Sequence, residues 1–311
     1  MRVVKLLIYA VVIVILLLGV IYLIANGLQE SKPLDELARK QAPGKFITLS
    51  DGVTHYLKLG AEGGTPLLFI HGGGITGLEV WQKNASLFAE QGFNVLLYDL
   101  YGRGYSDRLV TEYTPELFQR QLTELLDSLH MNGPLPFHVI SMSMGSMVAL
   151  DLAAVKPKLV DRLIMIDPAI TGDYRSNPLL TIPVLSDLLM TFYWQPRSIE
   201  NQRKEFFNQQ VFESYSKRLK YFSDFKGYKH VNYSTWMHTL NQSKLAKLEQ
   251  IPSGNVLLIY GNRDPYFPIG NIQIFQQVYP SLQVVEIYDA GHMPHLERPN
   301  ELNMIMLDFL L

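Results

Sequence analysis

Cysteine is absent from the 311 residues, which excludes disulfides, thiolate metal sites and thiol nucleophiles and leaves the redox compartment undecided. Dense runs of Lys or Arg are also lacking. With 27 basic residues against 29 acidic, the formal charge is -2, too little positive charge to neutralise a run of phosphates, so nucleic acid is excluded as a partner. There are no internal repeats and no low-complexity tracts. At 48% hydrophobic and 18% charged, the composition is that of a globular chain able to bury one large core, or a core with a smaller inserted module.

What the chain does have begins at its N-terminus. Leu6 to Ala25 is an uncharged, mostly aliphatic run preceded by Arg2 and Lys5. Roughly 20 helical residues span the ~30 Å hydrocarbon core of a bilayer, whereas the apolar part of a cleaved signal sequence is about 7–15 residues. The run therefore predicts a retained transmembrane anchor, residues 1–27, with the lipid bilayer as a partner. Arg2 and Lys5 favour an N-terminus inside and the rest of the chain outside. A polar, proline-punctuated linker, residues 28–44, follows.

From Lys45 onward, short β-branched runs alternate with segments of helical periodicity. The runs are Phe46 to Leu49, Thr54 to Leu59, Leu67 to Ile70, Asn94 to Tyr98, Phe137 to Ile140, Leu163 to Ile166, Asn255 to Tyr260 and Gln283 to Ile287. Helices are expected at Leu78 to Gln91, Pro115 to Leu129, Met144 to Val155, Ile272 to Tyr279 and Pro299 to Leu310. Alternation of this kind predicts an α/β fold: a mostly parallel eight-stranded sheet covered by helices on both faces, its first two strands an antiparallel edge hairpin turned at Asp51-Gly52. Between Ile166 and Val256 no strand is apparent. Residues 169–250 are expected to form a helical cap over the carboxyl ends of the strands, dividing the core into residues 45–168 and 251–311. The cap carries 14 of the 35 aromatic residues in about a quarter of the length, which suits either an apolar acyl pocket or the packing of a small helical module.

Phe137 to Met147 reads as a strand, a sharp turn and a helix start around Ser141-Met142-Ser143-Met144-Gly145. A serine at the tip of such a turn projects its hydroxyl above the sheet, with small residues needed two before and two after it. Ser143 meets that need with Ser141 and Gly145. Ser141 as nucleophile would put Val139 in a crowded position, so Ser143 is the predicted nucleophile.

Five motifs, each just after a predicted strand, together resemble the α/β-hydrolase superfamily from about Lys45 to the C-terminus. Besides the serine turn they are His71-Gly72-Gly73-Gly74, Asp99-Leu100-Tyr101-Gly102-Arg103-Gly104-Tyr105-Ser106, and the pair Gly261-Asn262-Arg263-Asp264 and Gly291-His292. The resemblance implies a triad in which His292 takes the Ser143 proton, Asp264 holds the imidazole tautomer, and the backbone N–H groups of Gly73 and Met144 receive the oxyanion. Asp167 is the rival acid and His295 the neighbouring imidazole. His71, Asp99 and Ser106 are expected to brace their loops. The implied activity is ester hydrolysis through an acyl-enzyme, without metal or organic cofactor, on a small-molecule ester with an apolar acyl group. A cofactor-free haloperoxidase or perhydrolase, a C–C bond hydrolase, an aminopeptidase and a non-catalytic membrane scaffold remain open.

Overall fold

A computed structural model describes residues 2–131, 133, 135–172 and 178–311. Eight strands form one sheet: β1 (Lys45–Thr48), β2 (Val53–Leu59), β3 (Pro66–Ile70), β4 (Asn94–Tyr98), β5 (Phe137–Met142), β6 (Val160–Ile166), β7 (Val256–Gly261) and β8 (Gln283–Ile287). Their order is β1-β2-β4-β3-β5-β6-β7-β8. β1 and β2 form the antiparallel hairpin at the edge, β2 also runs antiparallel to β4, and the remaining pairs are parallel.

Successive residues of a strand point to opposite faces, and both faces are covered here. Leu68, Ile70 and Val139 pack under α3 (Pro115–Ser128) and α4 (Gly145–Val155), while Leu67, Phe69 and Ile140 pack with α2 (Ala85–Glu90) and α9 (Pro299–Leu310). This two-sided burial is the reason the strands read as continuous apolar runs. α3 starts where Thr114 Oγ1 accepts from Leu117 N–H and Pro115 fills the first turn, a pairing that satisfies one orphan donor and removes another.

The helix expected over Leu78 to Gln91 is two pieces, a tight 3₁₀ turn at Gly77–Trp81 and then α2. Side chains impose the break. Asp99 Oδ1 accepts from Leu78 N–H at 2.6 Å, and buried Asn84 donates to Asn303 Oδ1 on α9 at 2.7 Å.

No strand lies between β6 and β7 among the described residues; the chain there forms α5 (Pro183–Leu189), α6 (Gln209–Ser223), α7 (Tyr228–His238) and several short turns. The segment is not helical throughout: residues 206–208 form no helical turn, and Asn208 takes an extended conformation and caps α6 by accepting from Gln210 N–H at 3.0 Å. Residues 173–177 of the segment expected to form the cap lie outside the described residues. At the N-terminus, α1 (Arg2–Leu28) has no buried residue. α8 (Gly270–Val278) completes the helices flanking the sheet.

Candidate active site

The serine turn is built from a strand that ends one residue before it. Ser143 follows β5 with φ +48, in the left-handed region that non-glycine residues seldom occupy outside functional sites. The turn is tied down on both sides: Ser143 N–H donates to Ile166 O at 2.9 Å, and Ser143 O accepts from Ser146 and Ala169 N–H. Ser141, fully buried, spends its hydroxyl on Ser146 Oγ and Ile164 O at 3.0 and 3.1 Å. Ser143 is half-buried and faces a cavity.

Gly145 makes the turn possible, since a Cβ there would stand 2.5 Å from His71 O and 2.6 Å from Ile70 O. Gly145→Ala is accordingly expected to destabilise the fold by about 1–3 kcal/mol, the usual cost of overpacking, read as a lowered thermal midpoint.

The acid and the imidazole come from the loops after β7 and β8. Asp264 N–H donates to Gly261 O, its Oδ1 accepts from Tyr266 N–H at 2.7 Å, and its Oδ2 lies 2.7 Å from His292 Nδ1. That spacing is a hydrogen bond; two ligands of one tetrahedral zinc, each at about 2.0 Å, stand about 3.3 Å apart. Burial works against charge on both groups. The pair overcomes it: the Asp264 carboxylate, helped by Glu205, raises the imidazole above its ordinary value, and His292 with the surrounding donors holds the Asp264 carboxyl below its own. His292 opens onto the same cavity as Ser143. Among the described residues no hydrogen bond joins the two, a looseness common in ligand-free sites.

Gly73 lines the same cavity as Ser143, and Met144 is the next residue along the chain from the serine. Gly72, next to Gly73, packs so closely that a Cβ there would come within 3.0 Å of Ser143 Cβ, and Met144 is the residue from which α4 starts. Neither the Gly73 nor the Met144 N–H has a protein acceptor among the described residues. The loop carrying Gly73 is braced by His71, whose Nδ1 lies 2.7 Å from Gly72 O while Nε2 accepts from Leu100 N–H at 2.9 Å. Burial lowers this imidazole to about 4, so it is neutral, with the proton on Nδ1. Asp99 accepts from Leu78 and Tyr105 N–H, and Ser106 Oγ donates to Asp99 O.

The two rivals are also placed. His295 is wholly buried against Trp81, 4.7 Å between ring centroids, away from the cavity wall. Asp167, by contrast, sits beside the Asp264–His292 pair: one polar side-chain atom from each of the three lies within 4.8 Å of the others.

The cavity, about 420 Å³, is roofed by residues from the segment between β6 and β7, among them Leu180, Trp194, Glu205 and Trp236. The wall is mixed rather than purely apolar. Glu205 went unseen in the sequence because it belongs to no motif, yet its carbonyl accepts from His292 N–H at 2.7 Å, and burial pushes its carboxyl up to about 7. Arg103, buried in the wall, donates to Thr235 Oγ1 of α7 at 2.7 Å and to Tyr101 O at 3.1 Å.

Residues 65–299 match the α/β hydrolase fold family, and the chain belongs to that family. A 2-hydroxy-6-oxononadienedioate/2-hydroxy-6-oxononatrienedioate hydrolase of Paraburkholderia phymatum is 26% identical over 292 residues, covering 86% of this chain and 96% of that one. Lipase 1 of Psychrobacter immobilis is 25% identical over 274 residues, 83% and 80% of the two chains. A solved structure of a membrane phospholipase A, described as a bacterial virulence factor, superposes with a TM-score of 0.69 at 21% identity, covering 98% of this chain and 97% of that one; at that identity the likeness speaks to fold. Hydrolysis is the class of reaction that family membership and these relatives support.

Proposed function

We propose that this chain is a membrane-anchored serine hydrolase that cleaves carboxylic esters of apolar acyl groups through an acyl-enzyme. The observation that carries the reading is Ser143, held in a left-handed turn and facing one cavity with an imidazole whose far nitrogen is bonded to a buried carboxylate. In this reading the Ser143 proton passes to His292 Nε2 as Oγ adds to the acyl carbon. The oxyanion is received by the N–H groups of Gly73 and Met144. His292 then protonates the leaving alcohol, and a water activated by the same imidazole releases the acid. Asp264 stays ionised throughout and stabilises the imidazolium.

Placement at a bilayer draws support from the surroundings of α1. Tyr22 hydroxyl donates to Asp187 on α5, and Gln29 Nε2 donates to Thr191 O at 2.9 Å. Beside these contacts Ile182, Val184, Leu188, Phe192 and Tyr193 are exposed, and Leu180 and Trp194 of the same segment line the cavity. An exposed apolar stretch next to an apolar helix suits an interface with lipid. Alkaline carbonate extraction is expected to leave the protein in the membrane pellet; release to the supernatant would count for cleavage of α1 or peripheral attachment. With Arg2 and Lys5 at the head of the span, we place the N-terminus inside and the catalytic part outside.

The test of the reaction is labelling of the folded protein by a fluorophosphonate probe, followed by turnover of p-nitrophenyl esters of graded chain length beside a monoacylglycerol. A folded wild type that stays unlabelled would refute the serine-hydrolase reading. Carbon–carbon bond hydrolysis is the second reading, favoured by the 26% identical relative, and turnover of a vinylogous diketone with no turnover of esters would select it.

A further inference from the structure

Asp167 stands one residue beyond β6 in a left-handed conformation, φ +43, fixed by its own N–H bond to Ile259 O at 2.9 Å. That conformation turns its side chain under the loop that carries Asp264. Oδ1 accepts from Gly261 N–H at 3.1 Å. Oδ2 is buried and has no donor directed at it, an arrangement that costs a carboxylate dearly and costs a carboxylic acid nothing if its own hydroxyl has an acceptor to reach.

The acceptor is next to it. Polar side-chain atoms of Asp167, Asp264 and His292 all lie within 4.8 Å of one another, and the His292 ring is already committed to Asp264. The charges acting on Asp167 are acids: Asp264 from the loop after β7 and Glu297 from the turn before α9. Glu205 is a further carboxyl that acts on Asp264 and His292. Two carboxyls this close in a buried site do not both ionise. Asp264 is the one equipped to carry the charge, with the imidazole and the Tyr266 N–H as donors, whereas Asp167 has one N–H and no cation. Burial and the Asp264 charge accordingly drive the Asp167 carboxyl well above the usual carboxylate range.

We propose that Asp167 is a positioning residue: a neutral carboxylic acid whose Oδ2 hydroxyl donates to the Asp264 carboxylate and holds it in line with His292. The inference rests on the serine-hydrolase reading given above. It differs from the rival assignment weighed on sequence, in which Asp167 would itself be the orienting anion. Here it acts only through Asp264 and carries no charge. Pairs of carboxyls in which environment pushes the two protonation states apart are a recurring way of fixing roles within one site.

The experiment compares Asp167→Asn and Asp167→Ala in the full-length protein, using the pH dependence of kcat/KM on a p-nitrophenyl ester. Its acid limb reports the protonation of His292. Asparagine is neutral and keeps a donor, so Asp167→Asn is expected to retain kcat within several-fold and to leave the acid limb where it is in wild type. Alanine removes the donor, so Asp167→Ala is expected to lose about 10- to 100-fold in kcat with KM little changed, and to move the limb to higher pH as Asp264 becomes a more concentrated charge beside the imidazole. A limb displaced to lower pH by half a unit or more in Asp167→Asn would mean that a negative charge had been removed, and would overturn the proposal. Parallel losses in the two variants, with both limbs at the wild-type position, would reduce Asp167 to packing and overturn it equally. If Asp167→Ala does not fold, the limb of Asp167→Asn alone decides. Fluorophosphonate labelling of wild type, run first, separates failure of this inference from failure of the hydrolase reading.

Discussion

Ser143→Ala is expected to lose all fluorophosphonate labelling and to lower kcat by about a millionfold, the loss seen when the nucleophile of a serine protease is removed. The expectation follows from where the two neighbouring serines lie. Ser141 is inside the sheet, its hydroxyl bonded to Ser146 Oγ and Ile164 O, and no acyl carbon can approach it. Its replacement by alanine removes buried hydrogen bonds, worth about 1 kcal/mol each, and should lower the thermal midpoint while labelling persists. Ser143 reaches the cavity because β5 ends at Met142 and the backbone reverses its φ sign at the next residue. Labelling that survives Ser143→Ala and vanishes with Ser141→Ala would transfer the nucleophile to the buried position and contradict this geometry.

Much of the fold was legible because burial on two faces writes itself into the strands. Leu67 to Ile70, Val95 to Tyr98 and Leu257 to Tyr260 are apolar at every position, and each alternates between the two sides of the sheet. β6 was read short, from Leu163, because Asp161 and Arg162 interrupt its apolar run; both are half-buried at the end of the strand away from the serine turn, where water still reaches them. Motifs pointed to Ser143, Asp264 and His292, and the fold sets Ser143 and His292 on one cavity with Asp264 bonded to the imidazole. They could not locate Glu205, which meets the histidine loop through its backbone carbonyl, a contact any residue type could make. Nor could they disclose that the rival acid and the chosen one touch. Asp167 and Asp264 are separated by the whole segment between β6 and β7, and only the parallel pairing of those two strands brings their ends side by side.

That adjacency sharpens the second large expectation. Asp264→Asn should lower kcat by about ten-thousand-fold, as the equivalent change does in a serine protease. An asparagine amide facing His292 Nδ1 donates where the carboxylate accepted, so the imidazole keeps its proton on Nε2, the nitrogen that must take the proton of Ser143. Binding has little part in this, and KM should change far less than kcat. Asp167→Asn is expected to cost only several-fold, because the orienting anion and its 2.7 Å bond to His292 remain in place. Thermal melts of the two variants serve as the control: a loss of turnover that tracks loss of fold would show in the midpoint, whereas Asp264→Asn should stay folded at the assay temperature. Equal losses in the two variants would leave the orienting acid unassigned between the ends of β6 and β7. A loss confined to Asp167→Asn would move it to β6 and invert the roles given to the pair.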